Sequence, residues 1–341
     1  MSTSLFLPGK DAAIEHLDAL HARFRESLAH LFERCSGHVA FDNARADALV
    51  ARLAQPLRLP PAVYGHYFDA VDAVSAQDLT ALQRAIDALM TYDPATTPPA
   101  LELRPLNRET FSAEEEAALR RQFVSDSLHD KQLSHLMGED CDAALAKLRA
   151  SLDLLRVHAP VTYGEMETLV SEIVPVHGKV HDDLEFDGAS SLRRWGTVLI
   201  NMTRTRGPIA LAETLVHEAA HGTLFAMSPV EFYVFNPENE RYSSPLRLDP
   251  RPLDGIYHAT FVLARMHVAM RELISSPSLD ENARAQATAL ARHSRANFQE
   301  GYDVLAVHAD YTPTGRAIME AAHAYMQALE PLPAPDPAAT V

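Results

Sequence analysis

Residues 211–227 read LAETLVHEAAHGTLFAM, and within them His217, Glu218 and His221 spell H-E-x-x-H. On an α-helix, positions i and i+4 share a face, so both imidazoles can point at one metal ion. Glu218, about 100° further round, flanks the same ion and can reach a water bound to it. The flanking residues are apolar (Leu215, Val216, Leu224, Phe225) or small (Ala219, Ala220, Gly222), which leaves room for an ion and a substrate. Histidines on such a helix need polar partners when buried. A metal supplies one, and mutual hydrogen bonding in a core is the alternative. Two ligands do not close a site, so a third is required. The candidates downstream are Glu231, Glu238, Glu240, His258, His267 and Glu272. His258 is preferred, because it stands as a polar residue within the apolar run DGIYHATFVLARM near the start of the next helix. His267 lies nine residues on and faces the opposite way, and a loop glutamate is the remaining option.

Two chemistries use this motif. With Zn(II), the metal acidifies a water and Glu218 takes its proton, which makes a metallopeptidase. With Fe(II), two histidines and one further ligand leave three positions open, as an oxygenase needs for 2-oxoglutarate and dioxygen. The second chemistry also requires a cation for the distal carboxylate of the co-substrate, and arginine suits planar, bidentate recognition. The loop between His221 and His258 supplies Arg241, Arg247 and Arg251. These arginines can equally pair with Asp249, Asp254 and nearby glutamates, and a peptidase can use one to hold a peptide C-terminus. Spacing alone leaves both chemistries open.

The stretch from LVHEAAHGTLFA through ERYSSPLRLDPRPLDGIYHATFVLARM resembles the H-E-x-x-H family of iron- and 2-oxoglutarate-dependent peptide β-hydroxylases that accompany ribosomally made peptide natural products. The resemblance rests on the helix motif, on Arg-Tyr-x-Ser-Pro-x-Arg at 241–247, and on Asp249-Pro-Arg-Pro-Leu253 leading into the next helix. The preceding GASSLRRWGTVLIN is similar more weakly, and the likeness covers about 185–275. It implies Fe(II) held by His217, His221 and His258, with 2-oxoglutarate anchored by Arg247 or Arg251, and Arg241 as a further candidate. It also implies a precursor peptide and dioxygen as partners, and leaves Glu218 as a neighbour to a ligand histidine. A zinc metallopeptidase with Glu218 as general base is the alternative. A non-catalytic peptide-binding protein with a degenerate site is the second.

The elements that must position these groups are mostly helices. Residues 11–34 carry Ile14, Leu17, Leu20, Phe24, Leu28 and Leu31/Phe32 at steps of three and four. His16, His21 and His30 fall on the expected wet side of that helix. Asp42 can cap a helix to about Leu53, ended by the prolines at 56–61, and another spans about 76–90. A proline-rich stretch with at most one short strand precedes a helix whose capping box is Ser112–Glu115. Further helices are predicted at about 140–157, 162–173, 208–227, 254–274, 279–300 (capping box Ser278–Glu281) and 314–329. Two or three strands lie between 175 and 201, the last being 197–201, which is expected to be an exposed edge open to a peptide. Trp195 reads as a packing anchor, and His177 and His181 as strand or turn residues.

The expected class is therefore α+β and predominantly α. A helical N-terminal region (1–155) precedes a zincin-like metal-binding core with a small sheet (156–330) and a disordered tail (331–341). The 341 residues include 30 basic and 46 acidic side chains, a formal charge of −16, which argues against gripping nucleic acid. No apolar run reaches membrane-spanning length. The N-terminal 18 residues lack the pattern of a secretory signal, and Cys35 and Cys141 are too few for a disulfide framework, so a cytoplasmic location is expected. Of 17 histidines, only three are assigned chemistry.

Overall fold

The computed structural model describes residues 5–55, 58–123, 133–178, 186–203, 206–227, 232–245, 249–330 and 332. The described chain is mostly helical, with eleven α-helices and a small mixed sheet, an α+β arrangement. The tail from 333, like His181, lies outside these residues.

The first four helices form one apolar cluster. Helix α1 (Lys10–Cys35) buries Leu17, Leu20, Phe24, Leu28 and Leu31 along the expected stripe, while Ile14 sits at its exposed margin. Helix α2 (Asn43–Arg52) begins where Asp42 accepts a hydrogen bond from the Arg45 amide at 3.1 Å. The prolines that end this region also start a helix that the periodicity did not suggest. Pro61 occupies the first turn of α3 (Pro61–Ser75), where its missing N–H has no partner to lose. The helix expected at 76–90 starts later, because Gln77 takes a positive φ of 56° and Asp78 caps α4 (Leu79–Thr91) through the amides of Thr80 and Ala81. The presence of α3 corrects the reading of His21. Facing α3, it is buried, and its Nε2 lies 2.8 Å from the Tyr64 hydroxyl oxygen. Burial lowers its pKa to about 4.

A two-residue strand β1 (Glu102–Leu103) precedes α5 (Ala113–Phe123), whose capping box is present: Ser112 Oγ accepts from the Glu115 amide at 3.2 Å, and Glu115 accepts from the Ser112 amide at 2.8 Å. Then come β2 (Leu133–Ser134), α6 (Gly138–His158), α7 (Pro160–Leu169), β3 (Glu172–Gly178), β4 (Gly188–Ser190) and β5 (Thr197–Asn201). The last four helices are α8 (Pro208–Met227), α9 (Leu253–Ser275), α10 (Glu281–His308) and α11 (Pro313–Ala328). The capping box expected at Ser278–Glu281 is not formed. The cap is Asp280, whose carboxylate accepts from the Ala283 amide at 2.9 Å.

The sheet order is β1-β3-β5-β4, with β1, β3 and β5 parallel, β4 antiparallel, and β2 paired antiparallel to β3. Strand β5 is therefore not an edge: β3 and β4 flank it and all five of its residues are buried. On that side of the sheet the edge among the described residues is β4, half-exposed along its length. Its residues, Gly188, Ala189 and Ser190, have little β-propensity, so the strand exists by pairing with β5 rather than by composition. Beneath the sheet, α8 and α9 share one core with β3 and β5, in which Ile173, Val198 and Ile200 meet Ile209, Leu215 and Phe261. Trp195 joins that core to the first helical cluster. It is buried, its Nε1 donates to the Gly222 carbonyl at 2.8 Å, and the Tyr64 ring meets it edge-on at 5.6 Å. No described helix is long and apolar enough to cross a membrane.

Candidate metal centre

Helix α8 opens on Gly207-Pro208 and runs as a largely buried element, which fixes the rotation of the motif it carries. One turn apart, His217 and His221 bring their Nε2 atoms to 3.3 Å. Two nitrogens bound to one ion at about 2.0–2.1 Å in tetrahedral geometry would stand roughly 3.3–3.4 Å apart, so this pair has the spacing of two ligands. The same distance also admits an imidazole–imidazole hydrogen bond.

His258, from the second turn of α9, presents its ring to His221. Its centroid is 5.7 Å from that of His221 with the planes only 22° apart, and Phe225 closes the side at 5.5 Å. Tyr233 meets His258 edge-on at 6.1 Å, stacks on Tyr257 at 4.7 Å, and donates its hydroxyl to the Leu224 carbonyl. Burial lowers the pKa of His258, against the opposing pull of Asp254, whose carboxylate is 3.9 Å away. The result is a neutral imidazole, the form that binds metals. Among the described residues, no group of three or more His, Cys, Asp or Glu side chains is arranged as a complete ligand set.

Glu218 is buried, with Oε1 4.0 Å from His217 Nε2. It lies under the edge strand: a Cβ on Gly188 would stand 2.7 Å from Glu218 Cγ. Glycine at 188 is thus what lets β4 cross the motif helix at that height.

Three of the other third-ligand candidates, His267, Glu272 and Glu240, are occupied elsewhere. His267 is fully buried, its Nδ1 is 2.8 Å from the Ala291 carbonyl oxygen, and burial lowers its pKa to about 4. Glu272 accepts from the amides of Val161 and Thr162 and from the Thr162 hydroxyl, and so caps α7. Glu240 accepts from the Tyr242 hydroxyl at 2.5 Å. Glu231 lies outside the described residues.

Of the three arginines, Arg247 also lies outside them. Arg241 is turned onto its own loop, donating to the carbonyls of Glu238 and Glu240. Arg251 pairs with Asp249 at 2.8 Å, and its backbone forms a reciprocal bridge with Tyr242 at 2.9 Å each way, which anchors it just ahead of α9. A ligand carboxylate would compete with Asp249 for that guanidinium.

Two charged groups near the motif escaped the sequence reading. Arg206 pairs with Asp187, next to Gly188, and donates to Thr214 Oγ1 at 3.3 Å, one turn before Glu218. Glu213, one turn before His217, accepts from Ser294 Oγ of α10 at 3.3 Å, and burial raises its pKa to about 7. The four-residue spacing 213–217–221 was the available signal for it.

Glu213 carries a pH prediction. Between about pH 4.5 and 7 the folded chain keeps a proton here that the unfolded chain has lost, so stability falls as pH rises through that window. The accumulated loss at pH 8 is about 2–4 kcal/mol. Glu213→Gln is therefore expected to raise the urea midpoint at pH 8 and leave it unchanged at pH 4. Equal midpoints for both proteins at pH 8 would contradict this.

Comparison with known proteins returns neither a matching family model nor a similar curated protein.

Proposed function

We propose that the chain is an Fe(II)- and 2-oxoglutarate-dependent hydroxylase that acts at a β-carbon within a ribosomally made peptide. The observation that carries this reading is the convergence of the His217 and His221 Nε2 atoms, 3.3 Å apart, with the ring of His258 stacked 5.7 Å from that of His221. The resemblance of residues 185–275 to the peptide β-hydroxylases favours iron over zinc. His217, His221 and His258 would hold the metal, and a donor set of imidazoles suits it. With its co-substrate and dioxygen bound, iron supplies the oxidant for inserting one oxygen atom into a C–H bond.

The remaining roles belong to the chain itself. Arg247 or Arg251 orients the 2-oxoglutarate carboxylate. Phe225 and Tyr233 wall the site beside His258 and exclude water. Strand β4, whose outer side pairs with no other strand among the described residues, lies over Glu218 and offers backbone hydrogen bonds to an extended peptide, presenting one side chain to the histidines. A motif helix beneath a sheet with an antiparallel edge strand is the arrangement we read as a zincin-like core.

One observation favours the second reading, a zinc metallopeptidase. Glu218 is buried beside His217, where a carboxylate can take a proton from a water.

Anaerobic reconstitution with Fe(II), followed by 2-oxoglutarate, tests the proposal. A visible charge-transfer band that needs both additions is expected, and its absence together with zinc-dependent peptide cleavage would establish the alternative. Arg251→Met and Arg247→Met are each expected to raise the KM for 2-oxoglutarate, by roughly 10–100-fold for the true anchor, with little change for peptide. If neither does so, the anchor assignment fails.

A further inference from the structure

Helices α3 and α4 lie back to back with α5 alongside, and between them runs an open groove of about 840 Å³. Alanines make up much of its lining: Ala73 of α3, Ala81, Ala85 and Ala88 of α4, and Ala118 and the exposed Ala117 of α5. Its rim carries six carboxylates, Asp69, Asp72, Asp78, Asp87, Glu114 and Glu115, against two guanidinium groups, Arg84 and Arg121. Some of this charge is already engaged. Asp69 accepts from Arg121 at 2.7 Å and Gln122 at 3.0 Å, Asp72 pairs with Arg193, Asp78 caps α4, and Glu115 belongs to the α5 capping box. Among the described residues Asp87 accepts only a neutral amide, from Gln83 at 2.8 Å, and both Asp87 and Glu114 are exposed. The rim thus remains net negative after its internal pairs are counted.

We propose that this groove binds a cationic, amphipathic helical segment of a partner polypeptide. This small lining is what a helix requires, because alanines let a second helix approach at the close end of the usual 8–10 Å interaxial distance. Larger lining residues would hold it off. Length sets the occupant: α4 has 13 residues, so a segment of about 13 residues lies along it over roughly 20 Å. Charge selects its chemistry. Its apolar, small-residue stripe faces the alanines, and Lys or Arg on either flank meets Asp87 on one rim and Glu114 on the other.

The same charge excludes the other occupants. A second copy of this chain also carries −16, and nucleic acid presents only phosphates. Such a segment is marginal as a helix in water and folds as it docks, so the groove reads a pattern of residues rather than a preformed shape. The groove lies on the same α3 whose Tyr64 abuts Trp195. This surface stands independently of the reaction proposed for the metal centre.

Fluorescence anisotropy with the full-length protein tests it. The probe is a labelled 14-residue peptide with an Ala/Leu stripe flanked by lysines. The controls are the same composition with the stripe scrambled, and a glutamate-for-lysine version. Saturable binding of the first peptide alone is expected, weakened roughly tenfold between about 50 mM and 500 mM salt. Asp87→Arg with Glu114→Arg is expected to raise its Kd at least about tenfold. Ala117→Trp, at an exposed position, fills the groove without changing its charge and should do the same. Equal binding of the scrambled peptide, or full affinity in Ala117→Trp, would show that the acidic surface acts without the groove and would overturn the proposal. So would failure to bind the cationic helix at all. None of these measurements depends on metal or turnover.

Discussion

His217→Ala and His221→Ala are each expected to abolish stoichiometric Fe(II) binding and to lower peptide hydroxylation by at least about 10³-fold, with the fold retained. The size follows from the geometry. The two Nε2 atoms stand at 3.3 Å on one helix face, so losing either leaves a single donor on α8 and no chelate. Both rings are half-buried at the surface of the core rather than within it, so truncation opens space to solvent rather than a sealed cavity. His258→Ala removes a donor from a different helix and should weaken the metal while leaving the α8 pair intact. Glu218→Gln separates the two chemistries. In the hydroxylase it acts only by loosening its neighbour His217, a cost of roughly 10–100-fold, with product still gaining an oxygen atom. In the peptidase it removes the base, and cleavage falls by roughly 10²–10⁴-fold. Product mass distinguishes these outcomes even where the rates overlap. Full Fe(II) stoichiometry in both α8 variants would place the metal elsewhere.

The centre of this site was legible because its information is local. An i, i+4 pair on one helix converges whatever surrounds it. His258 was preferred as a polar residue in an apolar run, and helical angle kept His267 from sharing its face: one meets His221, the other bonds Ala291 in the core. What escaped reading depends on partners distant in sequence. The edge strand is Gly188-Ala189-Ser190, which no propensity marks, and it becomes a strand only because β5 offers its hydrogen bonds. The more strand-like Thr197–Asn201 was mistaken for the edge for the same reason, since a run of buried β-formers does not say how many neighbours it has. Helix α3 was hidden behind prolines that signal a stop and a start with the same letters. His21 followed it into error, because the face of α1 that it occupies is wet only if α3 is absent. Arg206 gave no sign of its role, and Glu213 only its spacing to His217, because each is defined by a contact, to Asp187 and to Ser294, made across the fold.

Arg265→Met is expected to destabilise the protein by about 3–5 kcal/mol and, through that, to weaken the metal centre. Arg265 is an isolated cation in the apolar heart of α9, with its side chain 5% exposed. Its guanidinium pairs with Glu165 of α7 and donates to the Phe6 carbonyl at 2.6 Å. Glu165 accepts in turn from Thr223 Oγ1 of α8 at 3.0 Å and from the Gly9 amide at 3.2 Å. Four segments therefore meet on one ion pair. Burial alone lowers the pKa of Arg265, and Glu165 and Glu272 oppose that, so the pairing is what keeps a charge tolerable there. Removing the arginine strands Glu165 in a dry site, which is costlier than never having had the pair. Glu165→Leu combined with Arg265→Met should accordingly recover most of the lost stability.

The functional consequence follows from register. Thr223 lies two residues past His221, and Arg265 lies two helical turns past His258 on nearly the same face of α9. The network clamps α8 and α9 at the positions that set how the two histidines face each other. The double variant, though stable, lacks that polar clamp and should bind Fe(II) more weakly than the parent, because apolar packing permits small rotations that hydrogen bonds forbid. Urea denaturation and metal titration of the three variants read the two effects separately. A single variant that loses less than about 1 kcal/mol would mean that water reaches Glu165, and the clamp would then be no more than a surface pair.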